Sequence, residues 1–201
     1  MLDIAVLLSG RGSNFISLHK AILDGRIQNA RISCVVSNKE SAPGLRYARD
    51  NTIEALFINP KEFSTRDAYD KAVMGALELR HIGLVCLAGY MRIITEPFVE
   101  SWYGRMLNIH PSLLPSFPGL HAQRQALDAG VRFSGCTVHF VDKGMDTGPI
   151  ISQAVVPVLA NDDEDNLSER ILKEEHRIYP EVVSLFAAGR LSLSGGKVLI
   201  N

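Results

Sequence analysis

The chain has 201 residues, a net charge of -1 and a composition that is 46% hydrophobic and 21% charged, with a pI near 6.6. That is the make-up of a globular protein long enough to bury a substantial core. It excludes a dominant basic surface for nucleic acid or an anionic membrane, and no apolar run approaches bilayer-spanning length.

Met1-Leu2-Asp3 carries no basic region ahead of an apolar stretch, so no secretory leader is expected. Cys34, Cys86 and Cys136 form no CxxC, and the first two lie in apolar runs. Buried reduced thiols and a cytoplasmic setting are expected. Asp3 to Leu8 reads as a buried strand, and Ser9-Gly10-Arg11-Gly12-Ser13-Asn14 as a tight glycine turn. Phe15 to Leu23 then places Phe15, Leu18 and Ile22 at helical spacing before Gly25. A second strand spans Ala30 to Val36, a helix lies around Gly44 to Asp50, and a short strand follows near Ala55 to Ile58. Ser64 is placed to cap a helix running to about Arg80, and Ile82 to Ala88 is another apolar strand. Apolar strands alternating with helices imply a Rossmann-like α/β fold, a mostly parallel sheet with helices on both faces.

The second half reads differently. Arg105 to Ile109 is a short strand, residues 111–120 a proline-rich loop, and His121 to Ala129 a short helix. Cys136 to Val141 and Ile150 to Val156 flank the Asp146 loop as a strand pair. A polar helix from about Asn166 to Tyr179 precedes a second helix ending near Gly189, then a hairpin around Gly195-Gly196. No repeat or linker divides the sequence, so residues 1–201 read as one domain. Its N-terminal half is of nucleotide-binding type, and its C-terminal half completes a cleft.

The glycine turn enters a helix, where free N–H groups carry partial positive charge and suit a phosphate. A phosphate monoester fits better than NAD or ATP. The third glycine of a dinucleotide fingerprint is replaced by Phe15, the second strand ends in Ser37-Asn38-Lys39 without an acid, and no Walker lysine follows. A plain strand–helix connection needing glycine for its backbone angles explains the turn equally well.

Asn108 and His110 share one face of their strand with Met106, while Leu107 and Ile109 point the other way. Two polar groups at a strand's carboxyl end, opening into a proline loop, have the look of a site. Hydrogen-bond anchoring of that loop is the alternative. With Asp146, in Asp142-Lys143-Gly144-Met145-Asp146-Thr147-Gly148-Pro149, they make a working set for acyl transfer. The amide can hold an oxyanion, the imidazole can move a proton, and the carboxylate can bias the ring's charge or order a water. His19, His81, His121, His139 and His176 form no HExxH or close pair, which disfavours a metal. His139 reads as packed and hydrogen-bonded in mid-strand, His19 and His81 as surface groups. There is no Gly-x-Ser-x-Gly nucleophile motif.

Leu8-Ser9-Gly10-x-Gly12-Ser13-Asn14, Leu87 to Ile93, Leu107-Asn108-Ile109-His110-Pro111-Ser112, Pro118-Gly119-Leu120-His121, Val138 to Val141, Asp146-x-Gly148-Pro149 and Glu175-His176-x-Ile178-Tyr179-Pro180 together form a recognisable set. On these residues, spread over nearly its whole length, the chain resembles the folate-dependent phosphoribosylglycinamide formyltransferases of purine synthesis. The resemblance implies the formyltransferase fold. It implies passage of the formyl group of 10-formyltetrahydrofolate to the amine of glycinamide ribonucleotide. Asn108, His110 and Asp146 would be catalytic, with Asp146 raising the pKa of His110. Gly12, Ser13, Asn14, Phe15 and Ile16 would hold the phosphate and ribose, and Glu175 the glycinamide end. Arg66, Met91, Arg92, Ile93, Ile94, Asn108, Phe140, Val141 and Asp146 would surround the folate. No metal, nucleic-acid or membrane partner is implied, and a monomer or homodimer is expected. Arg11 departs from the small polar residue the family often carries there. A methionyl-tRNA formyltransferase would call for a longer, more basic chain, and a formyltetrahydrofolate hydrolase would not need the phosphate turn. A binding module without chemistry leaves Asn108, His110 and Asp146 unexplained.

Overall fold

The computed structural model describes residues 1–201. The elements in order are β1 (Leu2–Leu8), α1 (Ser13–Leu23), β2 (Ala30–Ser37), α2 (Pro43–Asp50), β3 (Glu54–Phe57), α3 (Arg66–Glu78), β4 (Leu84–Leu87) and α4 (Glu96–Ser101). They continue with β5 (Met106–His110), α5 (Ala122–Asp128), β6 (Phe133–Phe140), β7 (Ile150–Pro157), α6 (Glu164–Ala187), β8 (Leu191–Ser194) and β9 (Lys197–Ile200). Seven strands form one sheet in the order β3-β2-β1-β4-β5-β6-β7, and β8 and β9 pair separately as the expected hairpin. The first five of the seven run parallel. β6 and β7 are antiparallel additions.

Apolar strands build this sheet because both of its faces are covered. Along β1, Ile4, Val6 and Leu8 enter one core, with α1, α2 and α6, while Ala5 and Leu7 enter the other, with α3 and α4. The period-two alternation of a strand therefore feeds two hydrophobic layers at once. Cys34, Cys86 and Cys136 are buried free thiols, each pushed up to about 12 by burial, which keeps them inert as nucleophiles.

The structure departs from the sequence reading in four places. The two helices expected on either side of Tyr179 are one, α6, with Pro180 inside it. Helix α4 was not expected; it is six residues long with proline in its first turn. The cap of α3 is Thr65 rather than Ser64, its hydroxyl accepting from Ala68 N. His19 is not a surface group: it is half-buried, its Nδ1 lies 3.1 Å from the Tyr47 hydroxyl, and burial lowers its pKa.

Candidate functional site

The carboxyl ends of β1, β4 and β5 lie side by side. The chain leaves β1 toward β2 on one flank, while β4 lies on the other, so the crevice between β1 and β4 is the place where such sheets bind ligands. The glycine turn after β1 opens there. Gly12 adopts φ +73°, and a side chain on it would meet Leu8 at 2.9 Å and the Gly44 backbone at 3.4 Å. Glycine is required both for the angle and for the packing of α2 against the turn. The first bond of α1 runs from Ile16 N to Gly12 O. That leaves the N–H groups of Ser13, Asn14 and Phe15 outside the helix ladder, and no side chain caps them.

Asn14 faces inward from this helix start. It is only 7% exposed, and its Nδ2 donates to Glu175 Oε2 at 2.7 Å. Its Oδ1 is buried without a partner. Glu175 is equally buried; burial raises its pKa and the Asn14 bond pulls the other way. Two features fix this long-range contact. Pro180 has no N–H to offer the His176 carbonyl one turn back in α6, and Ser17 of α1 donates its hydroxyl to that carbonyl instead, at 2.8 Å. Tyr179, fully buried, directs its hydroxyl to Leu87 O at 3.0 Å and Leu107 O at 3.2 Å. Helix α6 is thereby tied to α1 on one side and to the end of β4 and the start of β5 on the other.

At the end of β5 the three residues singled out in the sequence come together. His110 Nδ1 lies 3.4 Å from Asp146 Oδ2, and Asn108 Nδ2 lies 3.5 Å from Asp146 Oδ1. Asp146 sits at φ +55°, a conformation Asp tolerates better than most residues, and its Oδ2 also accepts from Gly119 N at 2.8 Å. His110 Nε2 lies 2.9 Å from Phe117 O. A carbonyl only accepts, so Nε2 carries hydrogen and Nδ1 is the nitrogen free to gain or lose a proton. Loop anchoring, the alternative for this pair, holds for His110 through Phe117 O and is shared with other side chains. Thr137 takes Leu114 N at 3.0 Å and donates to Ser112 O at 2.7 Å, and Gln153 donates to Leu114 O at 2.9 Å.

His139 completes the arrangement. It sits directly across the strand pair from Asn108. Its Nδ1 donates to Phe140 O at 2.8 Å, which leaves Nε2 as an acceptor for Asn108 Nδ2 at 3.1 Å. Burial lowers its pKa from the ordinary imidazole value, in the direction that favours the neutral ring and its lone pair. One hydrogen of the Asn108 amide is held by His139. The other meets Asp146 only at the outer limit of hydrogen bonding.

The segment after β4 continues from the carboxyl end of that strand. Met91 and Ile93 are 63% and 59% exposed, with Met145 of the Asp146 loop and Leu120 of the proline loop also exposed. Arg92 lies over the Tyr69 ring at 4.4 Å, and Thr95 N donates to Asp70 at 2.7 Å, which ties the segment to α3.

The Formyl transferase family model matches residues 2–183. The chain belongs to the formyl transferase family. Among proteins of this kind, the trifunctional purine biosynthetic protein adenosine-3 of Drosophila melanogaster is 48% identical over 95% of this chain, which covers 14% of that protein. The phosphoribosylglycinamide formyltransferase of Escherichia coli (strain K12) is 44% identical over 96% of this chain and 90% of its own. The crystal structure of glycinamide ribonucleotide transformylase 1 from Symbiobacterium toebii matches with a TM-score of 0.97 at 50% identity, covering 100% of this chain and 94% of that one. The chain spans only 14% to 19% of the length of the trifunctional relatives from fly, cow and human.

Within this member of the family the expected residues fall into groups. Asn108, His110 and Asp146 converge. Gly12, Ser13, Asn14 and Glu175 line the helix start, but the Phe15 ring is fully buried against Tyr47 and the Ile16 N–H belongs to the helix. Met91 to Ile94 edge the crevice, and Val141 is half-buried beside it. The Phe140 side chain, 2% exposed, lies in the core and presents only backbone to the loop. Arg66 is exposed at the start of α3, one turn before Tyr69 and Asp70. The sequence reading missed the contact of His139 with Asn108. No group of three or more His, Cys, Asp or Glu side chains is arranged to hold a metal, and no helix is long and apolar enough to cross a membrane.

Proposed function

We propose that this protein transfers the formyl group of 10-formyltetrahydrofolate to the primary amine of glycinamide ribonucleotide. The observation that carries the reading is the contact set of Asn108, His110 and Asp146 at the end of β5, within 3.5 Å of one another through Asp146. The Escherichia coli relative, matched over nearly its full length, supports the choice of substrates.

The uncapped start of α1 supplies three backbone donors for the substrate phosphate. The Asn14–Glu175 pair offers carboxamide and carboxylate oxygens to donors on the ribonucleotide. The exposed methionine and isoleucine side chains of the 91–94 segment suit the flat apolar body of a folate. The amine attacks the formyl carbon, and negative charge grows on the formyl oxygen. The Asn108 hydrogen not held by His139 turns to that oxygen, and a cationic His110 adds to its stabilisation. Asp146 Oδ2 lies 3.4 Å from His110 Nδ1, on the side of the ring that faces the reaction. His110 Nδ1–H is the proton source for the departing folate nitrogen, the proton released by the attacking amine returns to the ring, and Asp146 holds the ring in place through transfer. Three buried thiols support a reducing, cytoplasmic setting.

The test follows absorbance as formyl-folate is consumed. Consumption is expected only when glycinamide ribonucleotide is added. Consumption at the same rate without it would identify a hydrolase, and binding of both ligands without turnover would reject catalysis.

A further inference from the structure

We infer that Ser9 is a positioning residue that sets the 91–94 wall against the phosphate turn, and so governs how tightly the folate is held. The inference rests on the function proposed above, in which that wall receives the folate. Ser9 lies at the junction of the two sites. It is the first residue of the glycine turn and is 4% exposed. Its backbone N–H donates to Gly89 O at 3.0 Å, one step beyond the bond from Ala88 N to Leu7 O. The β1–β4 pairing is thus carried past the end of β4. The chain then reverses at Gly89, φ +73°, and Met91 N donates back to Ser9 Oγ at 2.8 Å. Residues 89–91 therefore wrap around Ser9, held by its main chain on one side and its side chain on the other.

The polarity of the contact is fixed. Ser9 Oγ donates its single hydrogen to Asn38 Oδ1 at 2.6 Å, so its lone pairs are turned to Met91 N–H. A one-way relay runs from Met91 through Ser9 to Asn38, across the ends of β4, β1 and β2. A hydroxyl already donating is also a better acceptor, since bonds in a chain polarise one another. The side chains that edge the folate wall, Met91 and Ile93, have few other anchors, being the most exposed part of the segment. The first backbone amide of that wall is located by Ser9. No other side chain on the β1 side reaches it.

The relay separates from a general packing role by which substrate responds and by how variants combine. Steady-state kinetics with each substrate varied in turn are measured for Ser9→Ala, Asn38→Ala and the double variant. Ser9→Ala is expected to raise KM for 10-formyltetrahydrofolate about tenfold while KM for the ribonucleotide stays within about twofold. Asn38→Ala, at a half-buried position outside the β1 core, is expected to raise the same KM by roughly threefold. The double variant should match Ser9→Ala, because Asn38 acts only through the Ser9 hydroxyl. An unchanged folate KM in Ser9→Ala, a parallel rise in both KM values, or additive effects would each overturn the assignment. The parent protein is the control for the underlying function. No formyl transfer by the parent overturns both readings, whereas normal transfer with an indifferent Ser9→Ala overturns the Ser9 inference alone.

Discussion

Removing the His139 ring without touching Asn108 probes how the oxyanion donor is held. His139 Nε2 accepts from Asn108 Nδ2 at 3.1 Å, and its tautomer is set by the Nδ1 bond to Phe140 O at 2.8 Å. In His139→Leu the amide loses its one close partner and is free to rotate about χ2, since Asp146 Oδ1 lies 3.5 Å away. One hydrogen bond of this kind contributes about 0.5–1.5 kcal/mol net. Because about 1.4 kcal/mol is a factor of ten in rate, kcat/KM should fall by about 2-fold to 13-fold. Loss of the donor itself, in Asn108→Ala, should remove about 2.7–4 kcal/mol of barrier lowering. His139→Gln keeps an acceptor oxygen near the Nε2 position and should retain most of the parental value. The assay is kcat/KM for formyl transfer, with each variant also made on the Asn108→Ala background. There His139→Leu should cause no further loss, because the group it orients is gone. A Leu variant within twofold of the parent, equal losses for Leu and Gln, or a continued fall on the Asn108→Ala background would refute the orienting role.

Two further outcomes concern stability. Tyr179→Phe deletes a fully buried hydroxyl that bridges Leu87 O and Leu107 O. An unmet buried polar group costs about 1–3 kcal/mol, which should lower the thermal midpoint by roughly 2–10 °C for a chain of this size; a midpoint unchanged in calorimetry would contradict it. Asp162 is drawn down to about 2 by the Arg170 guanidinium and then by Leu159 N. A carboxyl depressed in the folded state stabilises fully above its ordinary value of 3.8 and loses that contribution as pH falls toward about 2. Arg170→Met should therefore be less stable than the parent near neutral pH in urea titrations, with the two curves converging in strong acid. A gap independent of pH would place the effect in packing instead.

Periodicity recovered most of the parallel half, because β1, β2 and β4 are buried on both faces and read as unbroken apolar runs. The same rule located Asn108 and His110, whose shared face follows from strand geometry alone. What it could not supply was the partner of each group. Asp146 reaches Asn108 and His110 through a loop, and no local pattern encodes that approach. His139 read correctly as packed and hydrogen-bonded. Its partner depends on the β5–β6 register, which places it opposite Asn108 and is set by contacts between distant strands. The break imposed at Tyr179 is a different kind of error. Proline is a strong stop signal, and only the tertiary environment tells a terminated helix from one that tolerates the residue. Helix α4 escaped because six residues with an early proline carry too little pattern to stand out.

Pro180 has a wider meaning for how this architecture is aligned. A helix whose every carbonyl is satisfied internally is set in height against a neighbour by the interlocking of side chains alone. The absent hydrogen at Pro180 leaves one carbonyl, that of His176, in want of a donor, and Ser17 is the side chain that meets it. The gap gives the helix a single notch, one residue beyond Glu175, and Ser17 is the tooth. Two segments that meet only after most of the chain has been made are thereby brought to one setting, in which Asn14 and Glu175 stand face to face.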